Sequence, residues 1–185
     1  MRSDIEIRRA SEQHLDFLTQ VDLEDEGITN AILGRGDFNQ HRTRMREFLG
    51  DSAAGWVIGA AERSKPIGTI MCRFRDLRAE APVEKNLFLL RYLPRSTFPD
   101  DGRFVETYQL WVDPEFRRQG LAYQLKQHLE IESRRRDIKQ IYTHTEKTNA
   151  HVIRMNLNLG FRVVREGPMW DDIVRVSLVK NLGDA

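Results

Sequence analysis

Only one cysteine, Cys72, occurs in the chain, so no intramolecular disulfide can form and no cysteine cluster can hold zinc. It lies between Met71 and Arg73 in an apolar, strand-like run. That setting favours a buried structural thiol over a nucleophile, which would want a histidine or a helix terminus nearby. No stretch approaches the ~18 uninterrupted apolar residues of a membrane span. The first residues, Met1 to Glu6, lack the apolar core of a signal peptide, and a cytoplasmic location is expected. Neither sign of charge is in excess: 29 basic residues against 28 acidic leave a net charge of +1. A dedicated nucleic-acid binder rests on a strong positive field, so this balance argues against one. The run Arg134-Arg135-Arg136 is a local exception, at an expected helix end where cations suit the macrodipole. What is present is 185 residues, 40% hydrophobic and 31% charged. That composition fits one globular domain spanning 1–185, able to bury a core without staples.

Hydrophobic periodicity supplies the element order. Ile5 to Arg8 alternates like a half-buried strand, and Ser11 can cap a helix whose Leu15, Leu18 and Val21 fall at three-residue steps. Asp22 to Gly36 reads as a helix end and loop. A second helix is expected over about Asn39 to Leu49, with Met45, Phe48 and Leu49 on one side. Strands over Gly55–Glu62 and Ile67–Phe74 flank Ser64-Lys65-Pro66 and form a hairpin. Asp76 to Arg103 carries three prolines and is long for a connection inside a compact domain, as mobile or functional segments are. It is a candidate lid over an acceptor site, and its patch Leu87-Phe88-Leu89-Leu90 should pack down. Phe104–Val112 is the strongest strand. Leu121, Leu125 and Leu129 mark one helix face, and Ile141–Thr145 is a short strand. Asn149 starts a helix with Val152, Met155 and Leu159 inward, and Gly160 sits where a left-handed cap belongs. Strands from Phe161 and Ile173 close the sheet. The fold class is mixed α/β, with helices on both faces of about seven strands.

The chemistry concentrates in Leu110-Trp111-Val112-Asp113-Pro114-Glu115-Phe116-Arg117-Arg118-Gln119-Gly120-Leu121-Ala122. A strand, a basic glycine-containing loop and a helix N-terminus follow one another. Exposed N–H groups and the helix dipole make such a corner an anion site. Gly120 permits close approach of a phosphate, Ala122 keeps the first turn uncrowded, and Arg117 and Arg118 add charge for a diphosphate. An ordinary strand–turn–helix corner with surface arginines is the competing reading. Arg117-Arg118-Gln119-Gly120-Leu121-Ala122 resembles the Arg/Gln-x-x-Gly-x-Gly/Ala signature of the GNAT acetyltransferases. Leu110-Trp111-Val112-Asp113-Pro114 is similar to that family's Leu-x-Val-x-Pro strand end. Asn149 through Gly160-Phe161 is similar to its second, Asn-led motif.

The resemblance implies acetyl-CoA as co-substrate, no metal, and a mostly antiparallel sheet splayed between its fourth and fifth strands. It implies that Leu110, Trp111 and Val112 contact the pantetheine arm, that Arg117, Arg118, Gln119, Gly120, Leu121 and Ala122 hold the pyrophosphate, and that a backbone N–H near Val112 polarises the thioester. Asn149 is either a helix cap or a cofactor contact. Asn156 stands where the family commonly has a tyrosine acid, and an amide cannot release a proton. Tyr108, Tyr123, Tyr142 or water could substitute. Glu106 shares a strand face with Tyr108 and Leu110, four residues before Leu110, where several relatives carry their base. A structural, charge-paired Glu106 is the alternative. His144 is read as structural or as substrate-facing. Trp170 and Asp171 could line an acceptor pocket that attracts a cationic amine, or form a plain hairpin loop. The function expected is N-acetyl transfer to an amine of a small molecule or peptide, with a homodimer left open. A CoA-binding or sensor domain without turnover is the alternative.

Overall fold

The computed structural model describes residues 5–28, 35–60, 65–78 and 89–183. Its strands are β1 (Ile5–Arg9), β2 (Ala53–Ala60), β3 (Gly68–Asp76), β4 (Arg103–Val112), β5 (Gln140–Glu146), β6 (Arg162–Pro168) and β7 (Val174–Asn181). The longer helices are α1 (Leu15–Asp25), α2 (Arg35–Met45), α3 (Leu121–Arg135) and α4 (Ala150–Asn158). The strands form one sheet in the order β1-β2-β3-β4-β5-β7-β6. Ladders β1–β2, β2–β3, β5–β7 and β6–β7 are antiparallel. β4 and β5 are parallel, and their ladder joins Val105 to Ile141 and Glu106 to Tyr142. Two pairs are few for strands of ten and seven residues. No helix among the described residues is long and apolar enough to cross a membrane.

Contacts divide the chain into two compact units, Met1–Arg73 with Tyr108–His128, and Phe74–Thr107 with Leu129–Ala185. In the first, Leu15 and Leu18 of α1 meet Met45, Phe48, Val57 and Met71 in a fully buried cluster. The three-residue steps put one side of α1 into this core, and Ser11 fixes its entry by donating its N–H to His14 Nδ1 at 3.0 Å. In the second unit Phe98, Phe104 and Tyr142 pack with Leu89, Leu93, Met169 and Val179. The Phe98 and Phe104 rings lie 4.5 Å apart. Burying a side chain of this size contributes about 1.5–3 kcal/mol.

Several boundaries differ from the sequence reading. The second helix begins at Arg35 and tightens into a 3-10 turn over Arg46–Leu49, which still turns Phe48 inward. β2 starts at Ala53, and its expected end at Glu62 lies outside the described residues, as does Ser64 of the expected hairpin turn. The long connection shortens to 77–102, because β3 and β4 extend into it. Residues 79–88 of it lie outside the described residues, Leu87 and Phe88 among them. Leu89, Leu93 and Phe98 are buried, so its second half is core. In α4 the buried residue is Asn156, with Leu159 buried at its C-cap, while Val152 and Met155 are half-buried. Gly160 takes φ 85°, and Phe161 N–H returns to the Asn156 carbonyl at 3.0 Å, as a left-handed cap requires.

Gly68 fixes how closely β3 approaches the end of β4. A Cβ there would come 2.9 Å from Ile58 Cγ2 and 3.0 Å from the Trp111 carbonyl oxygen. Gly68→Ala should therefore destabilise the protein by about 1–3 kcal/mol through overpacking, read as a lower urea midpoint. An unchanged midpoint would mean that β3 and β4 are not held this tightly.

Candidate functional site

The turn after β4 is fixed bond by bond. Asp113 N–H donates to the Ile67 carbonyl at 2.9 Å, and Asp113 Oδ1 accepts from Glu115 N–H at 3.0 Å. Pro114 opens the short turn Pro114–Phe116, where its missing N–H goes unneeded. Arg117 folds its Nε back onto the Val112 carbonyl at 3.0 Å, so part of that guanidinium braces the turn. Arg118 then adopts φ 61° and Gly120 φ 81°. Left-handed backbone costs a non-glycine residue about 1–2 kcal/mol. Left-handed residues of this kind are what anion-binding nests of successive N–H groups are built from. A Cβ on Gly120 would meet nothing within 4 Å, so conformation rather than crowding demands glycine.

α3 follows at once. Gln124 N–H donates to the Gly120 carbonyl at 3.0 Å as its first helical bond. The amides of Leu121, Ala122 and Tyr123 precede that bond, where a helix leaves its N–H groups without intrahelical partners. Leu121 and Leu125 are buried and anchor the first turns, while Arg117, Arg118, Gln119 and Gly120 are exposed. The turn is thus an accessible, positively polarised cradle suited to a diphosphate. Leu110 and Trp111 are half-buried and Val112 is buried, with the Trp111 ring edge-on to Phe17 at 5.7 Å.

Tyr108 is held from every side. Its ring lies 4.7 Å from Phe48 and 4.4 Å from the Arg73 guanidinium. Its hydroxyl donates to Asp22 Oδ1 at 2.7 Å. Burial, and then the bond and charge of Asp22, push the Tyr108 hydroxyl well above the ordinary tyrosine value. Such a proton is retained rather than released. Asp22 is 3% exposed and also accepts from Arg44, with His41 Nδ1 at 3.1 Å. Ligand-capable atoms of Asp22, Glu26 and His41 lie within 4.8 Å of one another. The Arg44 guanidinium nevertheless stands among them, bonded to both carboxylates and 3.1 Å from His41 Nδ1.

In the other unit Glu106 faces Arg75, whose Nε lies 3.6 Å from its Oε2. The two side chains are only 14% and 10% exposed. Across the parallel ladder Glu106 is paired with Tyr142, whose hydroxyl is 3.2 Å from Ser177 Oγ. Burial raises the Tyr142 hydroxyl most; Glu106 adds to this, while Ser177 and Arg165 oppose it. His144 meets Trp170 edge-on at 5.2 Å, and the Arg175 guanidinium lies 4.0 Å from the Trp170 ring. Arg175 also grips both Asp171 oxygens, and this bond holds the Asp171 carboxyl below its usual range. The Asp171 charge expected to draw a cationic amine is therefore matched by a nearly buried arginine.

Asn149 occupies the N-cap of α4 without capping it: its Nδ2 donates to Thr145 Oγ1 at 3.2 Å. Asn156 is buried, and its Nδ2 donates to the Val152 carbonyl at 3.0 Å. Its Oδ1 has no hydrogen-bond partner among the described residues. The sequence reading missed Asp22, Arg75 and Arg175. A signal existed for Arg75: on β3 it shares a face with Arg73 by period two, as Glu106 does with Tyr108 on β4.

A pH dependence follows from the two tyrosines. Their folded-state values are raised, so their contribution to stability is complete below about pH 10 and is lost as pH rises above it. Tyr108→Phe should cost about 1–3 kcal/mol near neutrality, because buried Asp22 loses a donor. It should also make the alkaline fall in urea-unfolding free energy shallower. An alkaline limb as steep as that of the parent would contradict the Tyr108 part of this account.

The family model described as Acetyltransferase (GNAT) family matches residues 23–161. No curated protein matches the chain. Among solved structures, Arabidopsis thaliana NAA60 in complex with acetyl-CoA superposes with a TM-score of 0.69 at 19% identity, over 96% of this chain and 98% of that one. Salmonella typhimurium yncA with its cofactor acetyl-CoA gives 0.66 at 22% identity, over 99% and 96%. The ribosomal-protein-S18-alanine N-acetyltransferase from Escherichia coli gives 0.63 at 14% identity, over 98% and 96%. With a family match across most of its length and that family's strand, turn and helix in place, the chain belongs to the GNAT family of acetyltransferases.

Proposed function

We propose that this protein transfers the acetyl group of acetyl-CoA to a primary amine of a small molecule or peptide by direct attack. The observation that carries the reading is the exposed turn Arg117-Arg118-Gln119-Gly120, with left-handed backbone at Arg118 and Gly120, leading directly into α3 at Leu121. In this reading the turn binds the pyrophosphate and the Leu110–Val112 end of β4 receives the pantetheine arm. Main-chain N–H groups there stabilise the oxyanion, a contribution of about 3 kcal/mol. The amine nitrogen attacks the thioester carbon, the C–S bond breaks, and the ammonium proton passes to Glu106. The four residues from Glu106 to Leu110 span about 13 Å of strand, so water relays that proton. The thiolate is a weak enough base, with a thiol value near ~8.5, to leave with a proton from water. The acceptor class accords with a neighbour whose name is that of an alanine N-acetyltransferase. His144 and Trp170 are placed in this reading at the acceptor side.

A second reading, CoA binding without turnover, is favoured by one circumstance. Asn156 stands where an acid is expected, and Tyr108 donates its hydroxyl hydrogen bond to Asp22 and keeps its proton. A thiol-release screen over amine classes separates the two readings. Turnover that depends on an acceptor supports transfer, whereas tight acetyl-CoA binding with no turnover supports the second reading.

Glu106→Gln should lower kcat/KM by about 10²–10⁴ and leave acetyl-CoA affinity unchanged by calorimetry. A loss below about threefold would remove Glu106 as the base. Gly120→Val should abolish acetyl-CoA binding while the circular dichroism spectrum persists, because a β-branched residue resists positive φ. Retained affinity in that variant would overturn the phosphate role of the turn.

A further inference from the structure

Glu106 is a half-buried carboxylate, and such a group keeps its charge only where a counter-charge or strong donors compensate for lost water. Its counter-charge comes from the neighbouring strand. Arg75 Nε lies 3.6 Å from Glu106 Oε2, and neither side chain is more than 14% exposed. Arg73, two residues earlier on β3, stacks on Tyr108, two residues later on β4. Period two on both strands therefore brings two arginines to two consecutive positions of one β4 face. Arg73 has a carboxylate partner of its own in Glu47, at 2.5 Å. Arg75 is the arginine that meets Glu106.

We propose that Arg75 is the positioning residue of the transfer reaction, holding the Glu106 carboxylate ionised and in one orientation so that it can accept the amine's proton. The inference rests on the reading of Glu106 as base and adds what makes that carboxylate usable. Charged or titratable groups near it among the described residues include Tyr142, its ladder partner on β5, and Arg165 of β6 and His144 of β5, which lie toward Tyr142. Tyr142 keeps its proton, so it supplies no positive charge. Arg165 is committed to the Gly167 and Pro168 carbonyls, with its guanidinium over Tyr92. Without Arg75, the nearly buried carboxylate loses its counter-charge, and its ionised form, the one that accepts a proton, is less favoured.

The test compares Arg75→Met and Arg75→Lys with Glu106→Gln in the full chain, using acetyl-CoA and whichever amine the screen shows to turn over. Arg75→Met keeps an unbranched apolar stem and removes the guanidinium charge. It should lower kcat by about tenfold to a hundredfold, a part of what a base contributes. KM for acetyl-CoA should hold, and the acidic limb of the kcat/KM profile should move to higher pH. Arg75→Lys should restore most of the rate. Adding Arg75→Met to Glu106→Gln should cost little more than Glu106→Gln alone, since both act through one carboxylate. If Glu106→Gln is severe while Arg75→Met leaves kcat and the acidic limb in place, Arg75 has no such role and the base reading stands. If Glu106→Gln is itself silent, the base reading fails and this inference with it. Should Arg75→Met fail to fold, Arg75→Gln takes its place: a lower kcat with the acidic limb at higher pH supports the assignment, and an unchanged rate and limb count against it.

Discussion

The left-handed backbone at Arg118 and Gly120 is the constraint on which the functional reading depends. Glycine adopts that conformation without penalty, but arginine at φ 61° does so against about 1–2 kcal/mol of strain. The strain is outweighed locally. Asp113 holds Glu115 and the Ile67 carbonyl, Arg117 braces the Val112 carbonyl, and Leu121 seats α3 in apolar surroundings. Both ends of the turn are thus fixed by bonds within the protein itself. A site organised in advance loses less conformational entropy on binding than a loop that must first order itself.

β4 carries the second organising feature, an ionic and polar face inside a largely apolar strand. Glu106 and Tyr108 project from the same side, and each is held by a buried charged partner: Arg75 for the carboxylate, Asp22 for the hydroxyl. The two partnerships differ chemically. A guanidinium beside a carboxylate favours the form that can accept a proton. A carboxylate beside a phenol favours the form that keeps its proton. Of these two candidates on one strand, Glu106 is the one that the proposed reaction uses for proton removal, while Tyr108 ties β4 to α1 through Asp22.

The same comparison bears on the end of the reaction. Neither Tyr108 nor Asn156 offers a proton to a departing thiolate, and Tyr142 is deeply buried with its hydroxyl beside Ser177. A thiol ionises far more readily than an alcohol or amine, so its departure needs less acid assistance than its formation needs oxyanion stabilisation. In the proposed reaction the main-chain amides at the end of β4 therefore matter more than a side-chain acid would.

Sequence alone determined the element order, the strong β4 strand, the turn and the helix that follows it. These are local features: Pro114 and Gly120 act through their own backbone, and the apolar periods of β4 and α3 stand out within a dozen residues. Gly160 was legible for the same reason, since a left-handed cap is a property of one residue. Tertiary structure decided which charges meet. Arg75 and Glu106 are 31 residues apart and Asp22 and Tyr108 are 86 apart. Only the pairing of β3 with β4 and the docking of α1 bring them together. The same holds for Asp171, an inviting acid in the sequence whose charge Arg175 takes up, and for Asn156, whose polar type hid its burial. Backbone conformation is written residue by residue, whereas the partner of a buried charge is chosen by the packing of distant segments.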